Sequence, residues 1–245
     1  MYDSTYLMWL SCPPLAQEAT AGRFLMINCG SNHEMLLPRP MSYHRFRNET
    51  SGERQFSILY DVRGKGTSWL STRSTGDKIY MFGPLGKGFN LENATKNILL
   101  IAGGIGIAAM PALIDNALEK GKSITLLQGA RSISKLMPLQ MLPKSIKVVS
   151  ATDDGSSGYH GKITDLIPKH LPSADQCFAC GPNAMFESIG GIMQEEASKK
   201  SVQALLEERM GCGTGICYGC TVKTKHGTKL ICIDGPQFDL TDIYT

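Results

Sequence analysis

Hydrophobic positions change rhythm twice along this chain of 245 residues. Up to about residue 92 they come in short β-rich runs, such as residues 24–28 and 56–60, separated by turn clusters. That spacing predicts a small antiparallel β-barrel. From there to residue 201, continuous apolar runs alternate with helical stretches. Residues 98–102, 124–128, 146–151 and 177–180 read as buried strands, and helices are expected to begin near Gly106, Thr164 and Pro182. The last of these carries Met185, Ile189, Ile192 and Met193 on one face. Strand–helix alternation predicts a doubly wound parallel sheet. From Val202 onward the chain becomes a short module dominated by glycine and cysteine. The predicted organisation is α+β and multidomain, with segments 1–92, 93–201 and 202–245.

Charge narrows the functional classes. Lys and Arg number 25 against 22 Asp and Glu, a net of +3, too balanced for the basic stripe of a nucleic-acid binder. The longest uncharged apolar stretch, residues 98–114, falls short of a membrane span and is interrupted by Gly103, Gly104, Gly106 and Pro111. No membrane segment is expected. With Asp3 near the start and no basic residue before Arg23, no secretory signal is expected either, which points to the cytoplasm.

Of eight cysteines, Cys212, Cys217, Cys220 and Cys232 crowd the last 34 residues with the spacing C-x4-C-x2-C-x11-C. Three thiolates from one loop and a fourth from a later strand is the plant-type [2Fe–2S] arrangement. Gly211, Gly213, Gly215 and Gly219 let such a loop curl and turn backbone N–H groups toward sulfur. A structural zinc site is the alternative, but zinc modules usually present two separated C-x2-C knuckles and only one stands here. Cys12, Cys29, Cys177 and Cys180 are scattered and read as buried core thiols.

The second signal is the run LLIAGGIGIAAMP over residues 99–111. A strand entering a glycine turn and then a helix offers N–H groups and a helix dipole to a pyrophosphate, making Gly103, Gly104 and Gly106 candidate dinucleotide contacts. The turn CGP at 180–182 ends another strand of the same sheet and should face the same crevice. In the first segment, Arg39 is placed to grip a phosphate with paired hydrogen bonds. Gly66 and Thr67 offer N–H groups to another phosphate.

Taken together and in this order, these segments resemble the ferredoxin reductase superfamily. Within it they are most similar to the iron–sulfur flavoprotein subunits that serve NAD-dependent dihydroorotate dehydrogenase. Arg39-Pro-Met-Ser42, Gly66-Thr67, Gly83-Pro-Leu-Gly86, the 103–106 turn, Thr152-Asp-Asp-Gly-Ser156, Cys180-Gly-Pro182, Glu207-Glu-Arg-Met-Gly-Cys212 and Cys232-Ile-Asp-Gly-Pro-Gln-Phe238 carry the resemblance across essentially the whole chain. It implies that Arg39, Pro40, Met41, Ser42, Leu59, Tyr60, Asp61, Gly66 and Thr67 contact FAD, and that Cys212, Cys217, Cys220 and Cys232 hold a [2Fe–2S] cluster. It also implies NAD⁺ as co-substrate, with Cys180 near the hydride-transfer site. The implied partner is an FMN-containing catalytic subunit that oxidises dihydroorotate in pyrimidine biosynthesis, two of each subunit forming a heterotetramer. No residue of this chain then acts as the base on dihydroorotate. A relay of the same build, the small subunit of an NADH-dependent ferredoxin:NADP oxidoreductase or of a sulfide dehydrogenase, is the alternative. Arg131 stands near the end of the second strand, where an acidic residue would favour the NAD ribose. The resemblance nevertheless implies NAD.

Overall fold

The computed structural model describes residues 4–30, 35–50, 52–195 and 200–243. The first segment holds β1 (Thr5–Leu10), β2 (Phe24–Ile27), β3 (Arg39–Ser42), β4 (Arg45–Asn48), β5 (Arg54–Asp61) and β6 (Met81–Leu85), with short helices α1 (Pro13–Glu18) and α2 (Lys65–Ser71). These strands form two antiparallel three-stranded sheets, ordered β1-β5-β4 and β3-β2-β6. One apolar core joins them, in which Leu25, Ile27, Tyr43, Phe56 and Ile58 are fully enclosed. Where the chain enters β4 from β3, the His44 N–H donates to the Ser57 carbonyl of β5 at 2.8 Å.

The alternating region gives β7 (Asn97–Gly103), β8 (Ser123–Ala130), β9 (Lys147–Thr152), β10 (Tyr159–His160), β11 (Gln176–Cys180) and β12 (Val202–Leu205). Its longer helices are α3 (Met110–Glu119) and α5 (Asn183–Glu195), with the single turn α4 (Ile167–His170) between them. Along β7, Leu99 and Ile101 enter one core while Ile98, Leu100 and Ala102 enter another on the opposite face. Burial on both faces is why this strand reads as an unbroken apolar run and not as an alternating one. The seven-stranded sheet runs β10-β9-β8-β7-β11-β12-β15, where β15 is Gln237–Asp239. Every pairing is parallel except β12 with β15. The sheet is thus mixed at one edge, which is closed by a strand from the far end of the chain. Between β12 and β15 the cysteine module carries its own hairpin of β13 (Thr221–Thr224) and β14 (Gly227–Leu230). No helix among the described residues is long and apolar enough to cross a membrane.

Two consecutive side chains bind the N-terminal sheets to the parallel domain. Arg45 Nε lies 3.1 Å from the Asp115 carboxylate on α3. His44, only 2% exposed, has Nδ1 at 2.8 Å from the Ala108 carbonyl oxygen. A carbonyl only accepts, so the proton sits on Nδ1. Burial holds the His44 pKa down to about 4. The unfolded chain takes up this proton below about pH 6.5, whereas the folded chain stays neutral until about pH 4. Stability is therefore full above pH 6.5 and falls as pH drops through that window, by on the order of 3 kcal/mol in all. Thermal unfolding followed between pH 7 and 4 should show the midpoint falling, and His44→Asn should flatten that dependence.

Candidate functional site

Two cavities open side by side between the N-terminal sheets and the parallel domain. The larger, about 720 Å³, lies beyond the carboxyl ends of β7, β8 and β11 and is lined by Gly103, Gly104, Gly106, Gly129, Gly181 and Pro182 among others. The crevice outside the strand ends is where open parallel sheets bind ligands. The three glycines of the turn have different jobs. A Cβ on Gly106 would collide with the Cys180 carbonyl, and one on Gly103 would come within 2.8 Å of Met185 Sδ. Both therefore let the turn lie directly on the end of β11. Gly104 takes a left-handed φ of +54° and faces open space. The expected helix starts as a 3-10 segment, Gly104–Ala109, and becomes α-helical only at Met110.

Arg63, Arg131, Lys135 and Lys162 also line this cavity, against Asp61, Asp153 and Glu207. Asp61 is already engaged, accepting from Thr5 Oγ1 at 2.7 Å and lying 3.4 Å from Arg63. The lining is thus set to attract an anion such as a pyrophosphate. The loop at 152–156 braces the end of β8: Asp154 Oδ1 accepts from the Ser156 N–H and hydroxyl, and Ser156 Oγ accepts from the Ile133 N–H at 2.8 Å. Those hydrogen bonds hold the Asp154 pKa below its ordinary value.

The smaller cavity, about 260 Å³, is lined by Pro40, Met41, Ser42, Leu59, Tyr60, Asp61 and Thr67. These are the residues the resemblance assigns to the flavin, apart from Arg39 and Gly66. Those two lie against each other beside it: a Cβ on Gly66 would stand 3.2 Å from Arg39 Nε. Thr67 Oγ1 accepts from the Arg63 and Gly64 N–H groups at 2.9 and 3.2 Å, fixing the entry to α2. The Tyr60 hydroxyl is buried with no protein partner, and burial lifts its pKa to about 12. An orphaned donor in the wall of a cavity suits a polar ligand. The cavities share Asp61, Arg63, Ile105 and Glu207, so ligands in the two would meet there. Glu207, an exposed residue, lines this shared cleft, and desolvation raises its pKa against the opposing pull of Arg63.

Sequence reasoning had not assigned Ile105, Ala108, Leu205, Glu207, Met210 or Pro236 to the flavin cavity. Glu207 and Met210 stand in the motif leading into Cys212, so a signal existed for them. Cys180 lines neither cavity. Its side chain is 1% exposed in the core, and burial raises the thiol pKa well above its ordinary value. Its neighbours Gly181 and Pro182 are the ones that reach the larger cavity.

The four C-terminal cysteines meet as two pairs. Cys212 Sγ accepts from the Cys217 and Thr214 N–H groups, each at 3.4 Å. Those bonds lower its pKa to about 6. Cys220 Sγ accepts from the Cys232 N–H at 3.5 Å, and burial lifts the Cys232 thiol to about 12. The Gly219 N–H points at Cys217 Sγ at 3.5 Å. A Cβ on Gly211 or Gly219 would stand only 3.4 or 3.5 Å from that sulfur, and Gly213 and Gly215 have φ of +69° and +82°. No disulfide joins any of the cysteines. Sulfurs paired two by two and ringed by amide donors fit a cluster in which each of two irons takes two thiolates. Among the described residues, no three Cys, His, Asp or Glu converge on a single point. Cys217 is exposed and is flanked by Ile216 and Tyr218, themselves 80% and 68% exposed.

Comparison with known proteins agrees with this geometry. Residues 207–244 match the family described as the iron–sulfur cluster binding domain of dihydroorotate dehydrogenase B. The electron transfer subunit of dihydroorotate dehydrogenase B (NAD(+)) from Desulforamulus reducens is 36% identical over 242 residues, spanning 96% of this chain and 90% of the relative. That of Listeria innocua is 35% identical, spanning 98% and 93%. A chain in the structure of an NADH-dependent reduced ferredoxin-NADP oxidoreductase superposes with a TM-score of 0.85 at 28% identity, over 99% of this chain and 86% of that one. The fold is therefore ferredoxin-reductase-like, with an iron–sulfur domain at its C-terminal end. Identity above 30% along nearly the full length of both partners shows that this chain belongs to the electron transfer subunits of dihydroorotate dehydrogenase B (NAD(+)), a family of oxidoreductase components.

Proposed function

We propose that this chain relays electrons from a catalytic partner that oxidises dihydroorotate, through a [2Fe–2S] cluster and FAD, to NAD⁺. The observation that carries the reading is the sharing of wall between modules. Met210 and Pro236 line the flavin cavity, and they stand two and four residues from the cluster ligands Cys212 and Cys232. Two residues span at most about 7 Å, so the thiolate cage abuts the flavin chamber. The bound cofactors supply the redox chemistry, and the chain supplies placement and electrostatics.

In this reading Cys212 and Cys217 hold one iron, and Cys220 and Cys232 the other. The N-terminal sheets, taken as the flavin barrel, hold FAD on residues 39–42, 59–61, 66 and 67. Gly103, Gly104 and Gly106 let the nicotinamide cofactor lie across the ends of β7 and β11, with Arg131, Lys135 and Lys162 drawing its phosphates in. Asp61 stands where the chambers meet, and Tyr60 beside it lines the flavin chamber alone. Cys180 supports the turn from below. The division into segments 1–92, 93–201 and 202–245 follows these three cofactors. The partner is an FMN-containing subunit, two of each making a heterotetramer in the cytoplasm. The exposed apolar residues beside Cys217 suit its approach.

Anaerobic purification of the chain with its native partner, assayed for dihydroorotate-dependent reduction of NAD⁺, tests the whole path. Activity with a co-purifying FMN subunit is the expected result. A flavin–iron–sulfur complex with other partners and no such activity would favour the ferredoxin:NADP type of relay, to which the structural likeness also points. The same preparation should show a higher kcat/KM with NADH than with NADPH, despite Arg131. Arg39→Ala should lose FAD on dialysis, because the guanidinium packed against Gly66 is the phosphate grip. Unchanged flavin absorbance after dialysis would remove Arg39 from the site.

A further inference from the structure

His44 lines neither chamber but lies two residues beyond β3, whose Pro40, Met41 and Ser42 line the flavin cavity. Its backbone N–H is fixed to Ser57 on β5, and its imidazole reaches across to the Ala108 carbonyl. The segment it reaches, Gly104–Ala109, takes part in both cavities. Gly104 and Gly106 line the larger, Ala108 the smaller, and Ile105 both. One hydrogen bond from a 2%-exposed side chain therefore ties the wall of one chamber to the turn of the other. A buried hydrogen bond cannot be exchanged for one to water, so loss of the donor leaves the Ala108 carbonyl unsatisfied. The next residue adds a second tie, Arg45 to Asp115, on the helix that continues the turn.

We propose that His44 is a positioning residue that sets the separation of the flavin and nicotinamide rings by tying the Gly104–Ala109 turn to the flavin-side sheets. The inference rests on the FAD and NAD⁺ reading above and deepens it. His44 touches neither ring. It acts through Ala108 and Ile105. Hydride transfer is steep in distance, and a misplacement of about 1 Å by a remote change costs as much as about a hundredfold in rate.

The test compares the FAD-loaded full-length protein with His44→Leu, His44→Asn and His44→Gln. The asparagine amide N–H falls near the position of Nδ1, whereas that of glutamine falls farther out and leucine has none. Three quantities are read: hydrogen–deuterium exchange of amides 104–110, the long-wavelength flavin–nicotinamide charge-transfer absorbance, and kcat and KM for NADH with ferricyanide. The leucine and glutamine variants should exchange faster over 104–110, lose the charge-transfer band and fall about tenfold or more in kcat, with KM little changed. The asparagine variant should restore exchange, band and kcat together. Wild-type exchange and absorbance in His44→Leu would overturn the proposal, as would an asparagine variant no better than leucine. If His44→Leu does not fold, asparagine against glutamine decides in the same way, equal behaviour being the overturning result. Wild-type protein whose FAD is not reduced by NADH would instead overturn the cofactor reading. In that case the exchange comparison still tests the tie.

Discussion

A Cys220→Ser variant will lose nearly all its protein-bound iron while keeping its FAD. Cys220 is buried and its sulfur takes the N–H of Cys232, so replacing it removes one ligand and disturbs the pairing with a second. Loss of an outer-sphere partner alone costs a metal site about 10–100-fold, and loss of a ligand costs more. Serine offers a hard oxygen where a soft thiolate is required. The residues proposed to hold FAD lie on β3, β5 and α2, none of which contains a cluster ligand. The cysteine module adds Glu207, Glu208, Met210 and Pro236 to the cavity wall but no ligand, so the yellow chromophore should remain. Reduction of NAD⁺ driven by the partner subunit should fall by more than about a hundredfold, while NADH should still reduce the flavin. Iron assay, the visible spectrum and the two activities check this together. Equal loss of iron and flavin would show the two sites to be one folding unit.

Gly106→Val should be the most damaging single change on the nicotinamide side. Its Cβ would strike the Cys180 carbonyl and come within 2.7 Å of the Gly181 N–H. Backbone cannot rotate away as a side chain can, so the turn must lift off β11. Overpacking of this kind costs about 1–3 kcal/mol in stability, and the displaced turn should slow flavin reduction by NADH about a hundredfold. Iron and FAD contents should be unchanged. Gly191→Ala is the natural control: it lies in α5 with nothing within 4 Å of the added carbon. There the better helix former should stabilise by about 0.5–1 kcal/mol. Stopped-flow reduction with NADH and thermal unfolding separate the two. Similar rates for Gly106→Val and wild type would mean that the turn does not carry the cofactor.

Much of this architecture was readable in the sequence for identifiable reasons. A strand buried on both faces must be apolar at every position, so β7, β8 and β11 announce themselves within a residue or two of their limits. Ligand spacing is likewise local, and four thiols within one short module needed no tertiary information. What was not readable depends on contacts between distant residues. Nothing in Gln237–Asp239 marks it as the antiparallel neighbour of β12. The tie from His44 to Ala108 joins positions 64 residues apart. Periodicity places a side chain on a face of its own element and says nothing of what that face meets. The same limit explains Cys180. Its motif lies at the right strand end, but the alternation along β11 turns its side chain into the core and leaves Gly181 to face the cleft.

The return of β15 to the parallel sheet changes what the cysteine module is. Residues 206–236 leave β12 and come back to it, so the cage for iron is a loop anchored at both ends. Sheet pairing bears the entropy of closing that loop, and a protein stripped of iron keeps its cysteines near one another, ready for reloading. During synthesis the last strand emerges after every ligand, which makes its arrival the moment at which the loop closes. A chain shortened to end before Gln237 would leave β12 as an open edge with unpaired N–H and carbonyl groups, an invitation to edge-to-edge aggregation. Insolubility after such a trim would reflect the missing edge strand, whatever the state of the cluster.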